Sequence, residues 1–259
     1  MDHGITFFDT ADSYGAGWSE RWVGRALGKR RGEATIATKC GQPPTVASKL
    51  LDRGRRTEGW PFRARGQADK RFRPDYIESA LLRSLRRLDT DYVDVLMLHS
   101  PPASVLSDGS WFNAMSDLRD RGLIRFLGVS ARSLEDAALA IREYNIDYVE
   151  VELNPCTAPS AGPVLALGRA RGTSVVARQV FGSGGLLNAV VVALGSQDIG
   201  RTRTEVAAAL RQFALQIPDV SVVLIGMSTV DHVVQNTSPW IPPDELVSQV
   251  AEAARQVCA

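Results

Sequence analysis

The sequence predicts an α/β protein whose strands run parallel, and three observations carry that expectation. Short runs rich in β-branched and aromatic residues recur along the whole chain, segments of helical spacing separate them, and each of the first three runs ends on a titratable side chain. Strands that alternate with helices imply a parallel sheet, because each crossover must return across the sheet before the next strand can pair. Two architectures satisfy the alternation. A doubly wound dinucleotide-binding sheet should carry GxGxxG after its first strand, and Gly15-Ala16-Gly17-Trp18-Ser19-Glu20 lacks the third glycine. A TIM-type (β/α)8 barrel instead places polar residues at the C-terminal ends of many different strands, which is the pattern here. A single barrel domain over residues 1–259 accommodates the length.

The elements follow in order. Ile5, Thr6, Phe7 and Phe8 form an unbroken apolar run, as a strand covered on both faces requires. Ser19 can cap a short helix in which Trp22, Val23, Ala26 and Leu27 share a face, closed by Gly28. A second strand over 34–38 leads, after a long basic stretch, to a helix opened by Pro74, with Ile77, Leu81, Leu85 and Leu88 inward and Glu78, Arg83 and Arg86 outward. Strands are expected at 93–97, 125–129, 148–152, 174–178 and 222–225, and helices at 111–120, 133–143, 161–171 and 203–215, with one or two more at the C-terminus. That makes seven strands, where closure of this barrel takes eight.

Composition narrows the function classes. The chain is 44% hydrophobic and 23% charged with a net charge of +1, which argues against general affinity for nucleic acid or anionic membrane. No apolar run is long enough to span a bilayer and the N-terminus MDHGIT is no secretion signal, so a cytoplasmic location is the expectation. Cys40, Cys156 and Cys258 are odd in number and widely spaced, which suggests neither a disulfide framework nor a zinc site and leaves Cys40 as a buried, inert thiol. Half of the 30 Lys and Arg fall in residues 1–73 against eight of the 29 acids, and much of that excess lies between Gly41 and Arg73. A solvated surface segment is the plainer reading of that stretch, and a hold on an anionic substrate the alternative. Trp18, Trp60 and Trp111 are candidates for an apolar substrate wall or for packing.

The chemistry-bearing residues are Asp9 at the end of the first strand, Tyr14 in the following loop, Lys39 ending TIATK and His99 ending DVLMLH. Each alone reads as a turn, a cap or a satisfied polar group. Together on one barrel rim, an acid, a phenol, an ammonium and an imidazole are costly to bury unless they serve one another. Lys39 would stabilise the Tyr14 phenolate, Asp9 would hold the ammonium in place, and a neutral His99 would donate to a substrate carbonyl. That set suits carbonyl reduction.

GITFFDTADSYGAG, ATKCG, LRRLDTDYVDVLMLHSP, GLIRFLGVSA and LIGMSTVDHVVQN resemble the aldo-keto reductases in order and spacing. The resemblance implies a TIM barrel binding NADP(H) without a Rossmann motif, with NAD as an alternative, a small-molecule carbonyl substrate, and a catalytic tetrad of Asp9, Tyr14, Lys39 and His99. It places Ser130 and Glu150 at the nicotinamide carboxamide, Phe181, Gly182 and Ser183 at the pyrophosphate, and Gly226, Ser228, His232, Gln235 and Asn236 around the adenosine end. By the residues alone, FGSGGLL is either a backbone cradle for phosphate beside Arg178 or a flexible βα loop. Ala131 and Glu150 stand where the family often has Asn and Gln, and His232 where it often has arginine. A family member would carry a further strand and helix ahead of GITFFDT, so an incomplete or modified barrel is expected, with open edges that invite a second copy. The alternative function is a non-redox dehydratase, isomerase or cyclase using the same acid-base set with weak or no nicotinamide binding. A regulatory binding subunit fits an intact tetrad less well.

Overall fold

The computed structural model describes residues 1–42, 69–196 and 202–258. Seven strands lie among them: β1 (Phe7–Asp9), β2 (Thr35–Cys40), β3 (Val93–His99), β4 (Ile124–Ser130), β5 (Tyr148–Glu152), β6 (Ser174–Arg178) and β7 (Val220–Val223). Helices α1 (Trp18–Leu27), α2 (Pro74–Leu88), α3 (Ala103–Asp108), α4 (Ser110–Asp120), α5 (Leu134–Glu143), α6 (Ala158–Arg171), α7 (Gly185–Ser196), α8 (Arg203–Gln216), α9 (Val230–Asn236) and α10 (Asp244–Cys258) separate or follow them. The chain divides into two compact units, one built on Ile5–Val149 and one on Glu150–Ala259 together with Asp2–Gly4.

In the first unit β1 pairs with β2, β2 with β3 and β3 with β4, all parallel. The register decides which side chains meet. Asp9 lies opposite Ala37, Ala37 opposite Val95 and Val95 opposite Phe126, while Lys39 lies opposite Met97 and His99 opposite Ser130. Because alternate residues of a strand share a face, Asp9, Lys39, His99 and Ser130 all stand on one side of this sheet. Ala37, Val95 and Met97 form an apolar cluster with Phe7 and Tyr148 beneath them on that side.

The opposite face carries the helices. Helix α2 buries Ile77, Leu81, Leu85 and Leu88, as its spacing predicts, and adds Ala80 and Ser84. Helix α1 departs from the expectation: Gly17 occupies the N-cap in place of Ser19, and the buried positions are Glu20, Gly24 and Leu27 while Trp22 is 62% exposed. The reason lies at Gly24, where an added Cβ would meet the Leu88 carbonyl oxygen at 2.2 Å. The two helices touch backbone to backbone there, which sets the rotation of α1 and turns Trp22 outward. Trp111 is fully buried against Phe112 and Tyr144, so it is packing. Trp60 and residues 43–68 of the basic stretch lie outside the described residues.

In the second unit β6 pairs in parallel with β7. Its core gathers Val180, Leu187, Val190 and Leu194 with Val206 and Leu210 of α8 and Val250 and Ala254 of α10. Helix α7 was not expected from the sequence. Its run GLLNAVVVALGS follows directly on glycines and is apolar nearly all round, so it lacks both a polar cap and the one-sided periodicity by which a helix is recognised. The structure also corrects the cysteine reading: Cys156 and Cys258, 102 residues apart in sequence, form a disulfide, and Cys40 is free and buried. Spacing along the chain cannot reveal such a pair; the fold brings the Cα atoms to 6.0 Å, within bridging distance. Burial pushes the Cys40 thiol far up, consistent with an inert side chain. Among the described residues, no helix is long and apolar enough to cross a membrane.

Candidate active site

Lys39 is the centre of the first unit's polar face. Its side chain is fully buried, and its Nζ lies 2.5 Å from both Asp9 carboxylate oxygens, 3.4 Å from the Thr10 carbonyl and 3.5 Å from the Tyr14 hydroxyl. The register explains the reach. Asp9 is level with Ala37, two residues before Lys39, an offset of about 6.6 Å that an extended lysine stem can span backwards along its own strand. A charge with no exposure is tolerable only with such partners.

Tyr14 arrives from a tight turn. Thr10 donates to the Ala37 carbonyl (2.9 Å) and Asp12 to the Lys39 carbonyl (3.2 Å), so the chain continues along β2 past the end of β1. Tyr14 then donates from its backbone to Ala11 (3.2 Å), closing the turn into a short 3-10 stretch, Tyr14–Gly17. The ring is 39% exposed, stands edge-on to His99 with centroids 5.7 Å apart, and has the Lys39 ammonium 5.2 Å from its centre. His99 Nδ1 lies 3.4 Å from the Ser13 hydroxyl. The chain after His99 is pinned by Ser100 donating to the Ser130 carbonyl (2.8 Å) and by Arg132, whose Nε donates to the Ser100 carbonyl (2.7 Å). The sequence-predicted Asp9, Tyr14, Lys39 and His99 are thus brought together, with Ser130 buried beside His99.

Behind this face lies a buried polar group that the sequence reading did not single out. Glu20 accepts from Thr38 (2.7 Å) and from Arg87 (2.5 Å), and Thr10 donates to Ser19 (2.8 Å). Asp12 is buried near them, and burial together with the Glu20 charge raises its pKa to about 8. A sequence signal was present in the FDTADSY string, where Asp12 looks like a turn former and its burial is invisible.

The remaining expected residues belong to the second unit. Glu150 is buried and faces Arg178 at 3.5 Å. With its amide turned to satisfy both ends, Gln179 donates to Glu152 (3.0 Å) and accepts from Arg178 (2.7 Å). Asn154, also buried, donates to Glu152 (3.1 Å) and to the Gln179 carbonyl (3.3 Å). Glu152, Asn154 and Gln179 were missed because each stands alone in sequence. Gly182, Ser183 and Gly184 all have positive φ and lead from Phe181 into α7, whose first turn holds no acid. A helix start approached through left-handed backbone and free of carboxylates suits an anionic group, which is what a pyrophosphate requires. Gly226 and Ser228 lie in the loop before α9. Ser228 Oγ is 3.4 Å from His232 Nδ1, and Asn236 donates to the His232 carbonyl (2.8 Å), so His232, Gln235 and Asn236 lie on one short helix. Among the described residues, no group of three or more His, Cys, Asp or Glu could hold a metal ion.

With this geometry in place, the comparisons agree with one another. The model of the Aldo/keto reductase family matches residues 1–253. The D-threo-aldose 1-dehydrogenase of a Pseudomonas species is 28% identical over 280 aligned positions, covering 97% of this chain and 84% of that protein. The holo form of aldo-keto reductase AKR11C1 from Bacillus halodurans superposes with a TM-score of 0.75 at 26% identity, over 100% of this chain and 85% of that one. An aldo/keto reductase from Klebsiella pneumoniae, solved with NADP and acetate, gives 0.72 at 22% identity over 98% and 82%. The fold is therefore of the (β/α)8 type, with seven strands among the described residues.

Proposed function

The chain belongs to the Aldo/keto reductase family, and from that premise we propose that it reduces an aldehyde or ketone to an alcohol with NADP(H), Tyr14 donating the proton. The observation that carries this reading is the fully buried Lys39 ammonium held between the Asp9 carboxylate and the Tyr14 hydroxyl. Lys39 stabilises the charge left on the phenol as its proton departs, and Asp9 keeps the ammonium charged and aimed. If Ser13 donates to His99 Nδ1, the imidazole proton sits on Nε2, where it can donate to the substrate oxygen and polarise the carbonyl.

The nicotinamide cofactor, when bound, supplies the hydride. Within the second unit, the Phe181–Ser183 turn would hold its pyrophosphate, and Ser228, His232, Gln235 and Asn236 its adenosine end. The fit rests on the acid-free start of α7 and the hydroxyl, imidazole and amide groups near α9. The Pseudomonas relative's name makes aldoses a sensible first substrate class.

A second reading, a non-redox acid-base enzyme, draws on Glu150: its pairing with Arg178 ties up the carboxylate that would otherwise receive the carboxamide. Fluorescence titration with NADPH and NADH decides between them. Micromolar binding or tighter supports the reductase, and a folded protein that binds neither leaves the second reading. Tyr14→Phe should lower turnover by about 10²–10⁴-fold while leaving cofactor binding intact. Unchanged turnover in that variant would remove Tyr14 from the mechanism.

A further inference from the structure

Asp12 stands two residues before Tyr14 and is a buried carboxyl that the Ser13 backbone, Arg87 and Arg83 compensate only in part. It is 5% exposed, its Oδ1 has no hydrogen-bond partner, and among the described residues it forms no ion pair. Each element packed against it presents a titratable group. Helix α1 brings Glu20, β2 brings the buried Cys40 thiol, and α2 brings Arg83, Arg87 and Tyr76, whose own hydroxyl also lacks a partner. Arg87 is engaged at 2.5 Å by Glu20, and Arg83 sits at the surface over the Tyr76 ring. A carboxylate here would therefore meet an acid, a thiol and a phenol, with the Arg87 guanidinium already claimed by Glu20. The Asp12 backbone, meanwhile, is the stitch to the Lys39 carbonyl that seats the turn carrying Tyr14.

We infer that Asp12 is a latch for the Tyr14 turn: its carboxyl is seated as the neutral acid, and the turn opens with release of that proton to solvent, withdrawing the phenol from Lys39. Asp12 is then a positioning residue, and it rests on the reductase reading only for what the phenol does. The sign follows from linkage. Burial raises the seated carboxyl from 3.8 to about 8, so the seated turn holds more proton than the opened one. Seating is firmest near the ordinary carboxyl range, weakens as pH rises toward about 8, and is constant above it, where both forms are ionised.

The test is hydrogen exchange by mass spectrometry on the full chain without substrate or cofactor, over about pH 5.5 to 9.5, with intrinsic exchange divided out. One proton released per opening makes the protection of residues 10–14 fall about tenfold per pH unit until it levels off. Asp12→Asn should flatten this slope. Arg83→Gln, at an exposed position, removes a cation that lowers the Asp12 value, so it should move the levelling point to higher pH. A pH-independent protection in the parent protein, an unchanged slope in Asp12→Asn, or an unmoved levelling point in Arg83→Gln would each overturn the latch. Because no turnover is read, failure of the reductase reading leaves this result standing, and the converse holds.

Discussion

Lys39 and Asp9 form a two-point contact, the ammonium 2.5 Å from each carboxylate oxygen, across a strand boundary that separates them by 30 residues in sequence. Neither partner belongs in that place alone. The lysine has no exposure and the aspartate side chain only 15%.

Removing one partner is therefore worse than removing both. Asp9→Asn should cost about 3–5 kcal/mol in urea denaturation, because it leaves a buried ammonium without its counter-charge. The double change Asp9→Asn with Lys39→Met deletes that charge and should recover much of the loss. Equal stability of the single and double variants would show that the pair is not coupled.

Gly24→Ala pits two effects against each other. Alanine gains up to about 1 kcal/mol of helix propensity. Its Cβ would sit 2.2 Å from the Leu88 carbonyl, however, a backbone atom that cannot swing away. Forced separation of packed elements costs about 1–3 kcal/mol, so net destabilisation of about 1–2 kcal/mol is expected, read from the denaturation midpoint at constant slope.

The Cys156–Cys258 bridge closes a 102-residue loop, which chain-entropy reasoning values at about 5 kcal/mol. Cys258→Ser should lower the Tm by roughly 10 °C. Reductant should bring the parent protein down to the level of the variant and leave the variant unmoved. A parent melt insensitive to reductant would mean that the bridge contributes nothing.

His232→Arg tests the proposed adenosine end. His232 is exposed on α9, so the change leaves packing alone. A guanidinium there adds a charge-assisted contact to a 2′-phosphate, tightening NADPH by about tenfold without altering NADH. Parallel tightening of both cofactors would place the phosphate elsewhere.

How much of this was legible in sequence depended on whether a property is local. The seven strands were found because each is a short run rich in β-branched or aromatic residues, with boundaries shifted by a few residues: β1, expected over 5–8, runs Phe7–Asp9. Asp9, Lys39 and His99 were visible because a titratable residue directly after such a run is conspicuous. What failed was what depends on a partner. The rotation of α1 is set by Leu88, far along the chain, and the Cys156–Cys258 pairing by the packing of α10. The burial of Asp12 likewise needs α1 and α2 to be in place. Glu152, Asn154 and Gln179 became a network only once β5 and β6 had formed.

Arg211 of α8 is buried, and its guanidinium reaches the carbonyls of Gln235 (3.3 Å), Asn236 (2.5 Å) and Trp240 (3.5 Å). The end of α9 is thus fastened from within through its main-chain carbonyls, a hold that does not depend on the identity of the outward side chains. If Ser228, His232 and Gln235 hold the adenosine end as proposed, natural variation can rewrite them with little penalty to the scaffold, and a lineage built on this frame is free to drift between cofactor preferences while its interior stays the same.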